Sequence, residues 1–532
     1  MKHLMTTRAI LLATALAMAP AAWAETPADT LVVAAAIDDI ISLDPAQSFE
    51  FSGNDVNQNT YDRLVDFDPL DMAAGFKPSL AESWEVSEDG LSITFTLRGG
   101  VSFHSGNPVR PEDAAWSLQR AVKLDKTPAF ILTQFGFTPD NVEDRITFDD
   151  TTLTLTLDQP YAPSFVLNCL TANIASVVDK DTVMANAQGE DLGNAWLSNN
   201  AAGSGPFTLA GWRPNEAVQL AAFEGYWQGA PAMKRVVVRN VAESSAQRLL
   251  LEQGDIDAAR NLSPTDVESI AAVEGVKIQD EPRGRILYMG LNQKNEVLSN
   301  PAVVEAMKHL VDYDGIANSF LKGTFVPHQS FLPKDFLGAL DEMPWTHDVE
   351  KAKALIDEAG LAGSTITTNV RDLREYVDVA QALQASMAEA GLTLEIQQMT
   401  GAQVLDAYRA REVPIFIGEW GPDYSDPNTN AATFAYNPDN SDAAQATGLL
   451  AWRNAYEVPA GMNEATVAAT LEQDADKRAQ MYQDIQRQYQ AEAPIVPLFQ
   501  RVENTGLRDN VENWNSGGSV TSVMYRQVTK GD

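Results

Sequence analysis

The sequence predicts an α/β protein, because strand patterns and helix patterns alternate along the chain. The apolar run 31–37 is typical of a buried strand, and residues 91–98 alternate apolar and polar side chains with the period of a half-buried strand. In the second half of the chain, amphipathic helix patterns end in glycine and are followed by strand patterns. This order favours layers of helices and sheets over an all-β fold or a helix bundle.

Further elements carry their own start and stop signals. Residues 153–157 alternate leucine with threonine and are predicted to form another half-buried strand. Asn300-Pro301 combines an N-cap with a proline at the first helical position, and Asp348 is an N-cap for a second helix. An apolar stripe at helical spacing stops at Gly391, and the next residues alternate as a strand.

Size and charge narrow the class of protein. The chain has 532 residues, 45% of them hydrophobic, which is enough for two or three domains of ~150 residues each. This composition excludes a disordered or fibrous protein. Asp and Glu number 73 against 38 Lys and Arg, which gives a net charge of −35. Such a chain repels nucleic acid and anionic membrane surfaces, so we expect a soluble monomer that binds no nucleic acid.

The first 24 residues are predicted to be a signal peptide. Lys2 and Arg8 form a positive start, residues 9–19 are apolar, and residues 22–24 read Ala-Trp-Ala, the pattern recognised by signal peptidase. Cleavage after Ala24 leaves a net charge of −35 − 2 = −37. The alternative is an uncleaved anchor, although the apolar run is short for a membrane span of ~20 residues. A secreted chain with a single cysteine indicates a bacterial periplasm.

The sequence lacks the motifs of catalysis and cofactor binding. It contains no Gly-x-Ser-x-Gly elbow, no Walker A loop and no Gly-x-Gly-x-x-Gly. The histidines beyond the signal peptide lie far apart in the sequence, which argues against a metal site. Cys169 lies in an apolar setting and is predicted to be a buried structural thiol rather than a nucleophile. We therefore expect no enzyme, no metal and no cofactor.

Short motifs in a fixed order over nearly the whole chain point to a known family. Residues 78–120 combine P-x-LA-x-SW with V-x-FH-x-G-x-P and a Glu-Asp pair before a helix. Further matches are GSGPF at 203–207, YWQGAP at 226–231, LNQ at 291–293, HDVEKAKALIDEAGL at 347–361, EWGPDYSDP at 419–427 and APIVPL at 493–498. The chain resembles the family 5 extracellular solute-binding proteins of ABC importers, the dipeptide- and oligopeptide-binding type.

The resemblance implies an α/β, two-lobed periplasmic binding protein-like (type II) fold with an extra α/β subdomain inserted in the first lobe. The expected divisions are a signal peptide at 1–24, lobe I at 25–64, 198–290 and 495–532, the inserted subdomain at 65–197, and lobe II at 291–494. Two crossing segments, near 285–291 and 493–499, are expected to form the hinge. Ligand is expected to bind between the lobes and to be buried when they close.

The implied function is that of a periplasmic receptor that captures short peptides and delivers them to the membrane permease of an ABC importer. Such a receptor catalyses no reaction. One alternative is the same role for a non-peptide solute, namely an opine, an oligosaccharide, a metal chelate or haem. A secreted hydrolase with a carboxylate site is a second alternative. A binder of unfolded chains is a third, because a cleft that recognises backbone could accept extended segments.

Asp423 is the candidate for the ligand ammonium. A receptor that accepts many side chains must hold what all short peptides share, which includes an ammonium and a carboxylate. Asp423 follows the apolar strand at 415–417, and ligands usually bind where the chain leaves a sheet. In peptide-binding relatives the Asp of the W-x-x-D motif has this role, and Asp423 matches it by position. The alternative is a turn aspartate whose carboxylate accepts local N–H groups.

Arg371 is the candidate for the ligand carboxylate, with Arg374 as the second choice. Both lie between a predicted strand and a predicted helix, where dipeptide-binding relatives place an arginine. A guanidinium can hold a carboxylate through two parallel hydrogen bonds. The alternative is that both arginines pair on the surface with Asp372 or Glu375. Trp420 could stack on the ligand or fill the core below Asp423.

Overall fold

The computed structural model describes residues 26–68, 71–515 and 522–531. The predicted signal peptide and its cleavage point after Ala24 lie outside these ranges. Among the described residues, no helix is both long enough and apolar enough to span a bilayer.

Helices and strands alternate through most of the chain, as the sequence predicts. The α-helices of the described residues are α1 (Phe51–Thr60), α2 (Pro111–Leu124), α3 (Phe130–Thr133), α4 (Val142–Arg145), α5 (Pro163–Leu170), α6 (Lys180–Ala185), α7 (Asn194–Leu197), α8 (Ser244–Gln253), α9 (Pro264–Ile270), α10 (Pro301–His309), α11 (Tyr313–Ala317), α12 (Val349–Glu358), α13 (Arg374–Glu389), α14 (Gly401–Arg409), α15 (Asn428–Phe434), α16 (Leu450–Arg453), α17 (Met462–Leu471) and α18 (Ala475–Glu492). The strands are β1 (Thr30–Ala35), β2 (Val65–Asp68), β3 (Asp71–Pro78), β4 (Ala81–Val86), β5 (Ser92–Leu97), β6 (Ile146–Phe148), β7 (Thr152–Thr156), β8 (Phe207–Arg213), β9 (Ala217–Ala222), β10 (Arg235–Asn240), β11 (Ala258–Ala259), β12 (Val276–Leu291), β13 (Phe325–Pro327), β14 (Thr365–Arg371), β15 (Thr393–Met399), β16 (Ile415–Trp420), β17 (Ile495–Arg508), β18 (Val511–Glu512) and β19 (Thr529–Lys530).

The largest sheet in the described part of the chain has nine strands and mixes parallel with antiparallel neighbours. Its order is β16-β12-β17-β11-β1-β10-β9-β8, and β13 pairs with β17 beside this path. β1 runs parallel to β10 and to β11. β12 and β17 pair antiparallel over almost their whole length, from Val276 opposite Arg508 to Gly290 opposite Ile495.

The long strands β12 and β17 join two groups of apolar clusters. At one end, Ile278 of β12 and Leu507 of β17 pack with the clusters around β1, β10 and α9. At the other end, Leu287 of β12 and Val496 of β17 belong to the cluster built on α10, α12, α13 and the strands β14 to β16. The chain therefore has two lobes that are joined by crossing strands, although the exact lobe boundaries stay a prediction.

A further apolar cluster is built around the sheet β4-β5-β7-β6 and draws almost all its residues from 46–177. β5 and β7 pair antiparallel with Phe95 opposite Leu153, and both side chains are fully buried. α2 packs on β6 and β7 and contributes to the same cluster. The predicted inserted subdomain, 65–197, occupies this part of the chain, and its limits also stay a prediction.

The local elements predicted from the sequence are present. The strands predicted at 31–37, 91–98 and 153–157 correspond to β1, β5 and β7. Both predicted N-caps form, since the side chains of Asn300 and Asp348 accept hydrogen bonds from N–H groups in the first turns of α10 and α12. The predicted apolar stripe of α13 is buried in lobe II.

Two of the sequence motifs meet at the buried carboxylate of Asp62. Ser204 Oγ of GSGPF donates a hydrogen bond to it at 2.8 Å. From YWQGAP, Tyr226 OH donates at 3.0 Å and Trp227 Nε1 donates at 3.2 Å. Burial raises the pKa of Asp62 to about 6, and the three donors act against that rise. The motifs therefore build a structural joint within lobe I.

Gly203 brings this joint against α1. A Cβ atom on Gly203 would lie 1.9 Å from the carbonyl oxygen of Thr60, so no larger residue fits without movement of the backbone. His104 donates its backbone N–H to the Gly203 carbonyl at 2.9 Å, and its ring Nε2 lies 2.9 Å from the Gly205 carbonyl oxygen. The histidine of the V-x-FH-x-G-x-P motif is thus used to hold the GSGPF turn.

Candidate functional site

The end of β16 marks the place where the chain leaves the edge of the large sheet. β16 pairs antiparallel with β12, with Trp420 opposite Ile286. Residues 421–427 then form a loop that leads into α15. Tyr424 of this loop packs into the apolar cluster around β5 and β7, and its ring lies 6.0 Å from that of Phe165. The loop therefore lies where the two lobes meet.

Asp426 anchors the loop through a buried ion pair. Arg478 of α18 donates to its two carboxylate oxygens at 2.8 and 2.7 Å, and both side chains are almost fully buried. Asn168 of α5 donates to the same carboxylate at 3.2 Å, and the backbone N–H of Asn428 donates at 2.9 Å. These donors occupy the carboxylate of Asp426 and tie the loop to both lobes.

Asp423, three residues earlier, has a different environment. Its backbone N–H donates to Thr429 Oγ1 at 3.0 Å, which fixes the backbone of the loop. Within the described ranges, no donor and no cation reaches its carboxylate. Burial alone raises the pKa of Asp423 to about 7. The local N–H groups that the turn interpretation requires are absent from this part of the structure.

Trp420 packs under the loop. Its ring is partly buried against the lobe II cluster that contains Phe434 and Tyr489, which favours the core interpretation over stacking on a ligand. Its indole Nε1 is buried and meets no acceptor among the described residues. A buried donor without an acceptor is costly, so this N–H is suited to a ligand carbonyl or a water molecule.

Arg371 is the last residue of β14 and is exposed. Its guanidinium lies against the start of α14, because a Cβ on Gly401 would be 2.7 Å from Arg371 Nε. The segment that follows lies beside the end of β16, since Tyr376 OH donates to Glu419 at 2.8 Å. No contact joins Arg371 to Trp420 or Asp423 in the described part of the chain.

Arg374 begins α13 and points into solvent. Its side chain is 91% exposed and lies 3.5 Å from Asp378, one turn along the helix. The expected surface partner Glu375 pairs instead with Arg501 at 2.6 Å. This exposure makes Arg374 a weaker candidate for a buried ligand than Arg371.

Two further residues lie at this site, Arg285 from the predicted crossing segment 285–291 and Phe51 from the segment 49–54, which follows the first strand. The Cγ atom of Arg285, on β12, is 3.4 Å from the position of a Cβ on Gly421, and Phe51 Cζ is 3.7 Å from it. The guanidinium of Arg285 stands over the Phe51 ring at 3.8 Å from the ring centroid. The available sequence signal was an arginine at the start of the apolar run 286–291, which alone does not indicate a site.

Three histidines and the cysteine outside this loop have structural roles. Rings of His104, His309 and His328 each lie within hydrogen-bond distance of a backbone carbonyl. Cys169 is fully buried, and burial raises the pKa of its thiol well above the ordinary value. Among the residues that the structure describes, no three His, Cys, Asp or Glu side chains are grouped to hold a metal ion.

Comparison with known proteins places the chain in a family. It matches the family described as Bacterial extracellular solute-binding proteins, family 5 Middle, over residues 75–442. It is 29% identical to the probable D,D-dipeptide-binding periplasmic protein DdpA of Escherichia coli K12, over 99% of this chain and 98% of that protein. It is also 26% identical to heme-binding protein A of Haemophilus influenzae, over 87% of this chain and 85% of that protein.

A solved structure confirms the predicted fold class. The periplasmic binding protein DppA of Helicobacter pylori, associated with an ABC transporter and bound to the peptide STSA, superposes with a TM-score of 0.78. The alignment covers 94% of this chain and 98% of that one at 24% identity. The chain therefore has the two-lobed type II fold, and it belongs to family 5 of the bacterial extracellular solute-binding proteins.

Proposed function

We propose that this protein is the periplasmic receptor of an ABC importer for short peptides, and that Asp423 receives the ligand ammonium. The observation that carries this proposal is the carboxylate of Asp423, which is partly buried at the junction of the lobes and has no donor or cation among the described residues. A carboxylate in such a place is destabilised unless a cation binds it. The terminal ammonium of a peptide is a cation of the right size.

The neighbouring Asp426 supports the assignment by contrast. Both residues belong to the EWGPDYSDP motif, yet Asp426 is saturated by Arg478, Asn168 and a backbone N–H. The fold thus supplies partners for one aspartate of the loop and leaves the other without them. One carboxylate of the loop has hydrogen-bond donors and the other has none. This difference indicates a structural role for Asp426 and a binding role for Asp423.

The remaining polar groups suit a peptide. Arg371 is assigned to the ligand carboxylate, because its segment lies beside the end of β16 and a guanidinium pairs well with a carboxylate. The Nε1 donor of Trp420 is assigned to a backbone carbonyl of the ligand or to a bridging water. A receptor that accepts many side chains needs an anion for the ligand ammonium, a cation for the ligand carboxylate and a donor for a backbone carbonyl.

Lobe closure supplies the signal to the permease. Loop 421–427 and α18 touch the region of α5 through Asn168 and Asp426 at 3.2 Å and through Arg478 and Ser164 at 3.3 Å. A ligand that binds both lobes favours the closed state by its differential contacts there. We assign no catalytic step to the site and place the mature protein, cleaved after Ala24, in the periplasm.

The test uses a panel of dipeptides and tripeptides with free or acetylated amino termini. Titration calorimetry should show binding of the free peptides and a loss of at least about 100-fold on acetylation, because the buried carboxylate then lacks its cation. Asp423→Asn should weaken the free peptides by about 10²- to 10³-fold. Asp439→Asn, on an exposed loop of the same lobe, removes the same charge and should leave affinity unchanged.

Two outcomes would overturn the proposal. Equal affinity for free and acetylated peptides would show that no ammonium site is used. Absence of binding to every peptide, with binding of an opine, a metal chelate or haem, would establish the receptor role for a non-peptide solute. A heme-binding protein among the relatives of this chain supports this second candidate.

A further inference from the structure

Several arginines lie on or beside the crossing strands, and Arg260, Arg283 and Arg501 have carboxylate partners. Arg260 pairs with Asp55 and with Glu503. Arg283 pairs with Glu503 at 2.5 Å. These pairs hold β12, β17 and the chain after β11 together in lobe I.

Arg501, on β17, has the same arrangement with two carboxylates of lobe II. Its guanidinium contacts Glu419 and Glu375, each at 2.6 Å, and Tyr376 OH donates to the same Glu419 carboxylate. Arg501 and Arg285 both stand over a phenylalanine ring, Phe325 in the first case, so stacking alone does not separate them. The two arginines differ because Arg501 has carboxylate partners.

Arg285 differs from these three arginines, because no acceptor contacts its guanidinium within residues 26–68, 71–515 and 522–531. The carboxylates that act on it electrostatically are Glu419 and Glu503, and both are already bound by other arginines. Burial lowers the pKa of Arg285 from its ordinary value. An arginine that is partly shielded from water and meets no acceptor is less favourable in the empty protein than one with a carboxylate partner.

The surroundings of Arg285 place this cation at the cleft. Its Cγ atom lies 3.4 Å from the position of a Cβ on Gly421, the first residue of the loop that carries Asp423, and its guanidinium lies over the ring of Phe51, the first residue of α1 in lobe I. The Phe51 ring is 53% exposed, so this contact borders open space rather than the core. The guanidinium therefore lies at the junction of α1, β12 and the loop after β16.

We propose that Arg285 is an anion-binding residue of the cleft and receives a carboxylate of the ligand. This proposal rests on the peptide-receptor function proposed above. The carboxylate belongs either to an acidic side chain, with Arg371 on the peptide terminus, or to the terminus itself, with Arg285 in the place of Arg371. A guanidinium binds both kinds of carboxylate in the same way. Arg285 then sets a preference for ligands that carry negative charge close to their ammonium.

Distance supports this arrangement. Gly421 and Asp423 are two residues apart, so their backbones are at most about 7 Å from each other. An extended peptide advances about 3.3 Å per residue. A ligand with its ammonium on Asp423 thus brings its first or second residue to the region of Arg285.

Charge supports it as well. The full chain has a net charge of −35, which repels an acidic peptide from most of the surface. A local cation that faces the cleft offsets this repulsion only at the binding site. Arg285 is suited to that role because its charge is not already taken up by a carboxylate of the described residues.

The test compares acid and amide forms of the same dipeptide by titration calorimetry on the full mature protein. The pairs are Glu-Ala with Gln-Ala, Ala-Glu with Ala-Gln, and Ala-Ala with its terminal amide. In at least one pair the acid should bind about tenfold or more tightly than the amide, which is the effect of a charge-assisted hydrogen bond. The first two pairs report a side-chain carboxylate and the third reports the terminal one.

Arg285→Gln should remove this preference and leave the affinity for the amide forms within about twofold. Arg285→Lys keeps the charge without the paired donors and should retain part of the preference. Arg213→Gln, on the exposed end of β8, removes the same charge from the surface and should retain all of it. Melting temperatures of the unliganded variants check that each is folded.

The outcomes separate this inference from the function on which it rests. If Arg285→Gln leaves the acid preference unchanged, or lowers acid and amide affinities equally, the inference is wrong while the peptide receptor stands. If the wild type shows no acid preference in any pair, the inference is also wrong. If no dipeptide binds the wild type, in acid or amide form, both the inference and the peptide function are overturned.

Discussion

Peptide affinity should depend steeply on pH below neutrality, because Asp423 must be ionised to hold an ammonium. Burial raises the pKa of this carboxyl from 3.8 to about 7, so in the unliganded protein it is mostly protonated at pH 6. Binding of an ammonium favours the ionised form and releases the proton. The observed affinity is therefore the intrinsic affinity multiplied by the fraction of protein in which Asp423 is ionised.

The magnitude follows from that pKa. The ionised fraction is about one half at pH 7, about 0.1 at pH 6 and about 0.01 at pH 5. The dissociation constant should therefore rise about tenfold for each pH unit below 6. The ligand amine loses its own proton near pH 8, so affinity should fall again above that value. The expected profile has its maximum between pH 7 and 8.

The assay is titration calorimetry of one neutral dipeptide from pH 5 to pH 9, in buffers of different ionisation enthalpy. Near pH 6 the enthalpy should vary with the buffer in the way that release of nearly one proton requires. Asp423→Asn should flatten the acidic limb of the profile, and Asp439→Asn should not. An affinity that stays constant from pH 5 to pH 7 in the wild type would refute the assignment of Asp423.

Three further perturbations test the surrounding structure by urea unfolding of the unliganded protein. Because the folded pKa of Asp423 is raised, the folded state binds its proton more tightly than the unfolded state, so stability should fall as pH rises from about 4 to about 7. Asp423→Asn should remove that dependence and stabilise the protein at pH 8, by at most about 4 kcal/mol; equal stability at pH 8 would contradict it. Arg478→Met should cost about 3–5 kcal/mol, since it leaves Asp426 buried without its cation; a loss below about 1 kcal/mol would contradict the anchor role. Gly203→Ala should destabilise lobe I by more than about 3 kcal/mol, because its Cβ would lie 1.9 Å from the Thr60 carbonyl oxygen; a neutral effect would show that this turn can relax.

Local structure was predictable because its signals are local. The caps at Asn300 and Asp348 and the stripe that ends at Gly391 depend on residues within a few positions, and the structure contains the helices they predict. The two-lobed fold followed from motifs whose order, rather than any single pattern, carried the information. GSGPF and YWQGAP are linked in space by the shared carboxylate of Asp62, which no local pattern reveals.

The site was only partly predictable for the same reason. The position of Asp423 was available from its motif, whereas the lack of a partner depends on what α15, α18 and lobe I place around it. Arg374 was the second choice after Arg371 in the sequence, and the first turn of α13 points it into solvent. Arg285 could not be selected in advance. Its distinguishing feature is that Glu419 and Glu503, which lie far from it in the sequence, are already paired with other arginines.

The most direct test of the receptor function is to identify what the protein carries. The mature chain should be purified without denaturation from a peptide-rich periplasm, then unfolded, and the released small molecules should be analysed by mass spectrometry. The account predicts short peptides with free amino termini in the wild type and in Asp439→Asn, and their loss from Asp423→Asn. A single non-peptide solute, present equally in the wild type and in Asp423→Asn, would contradict it.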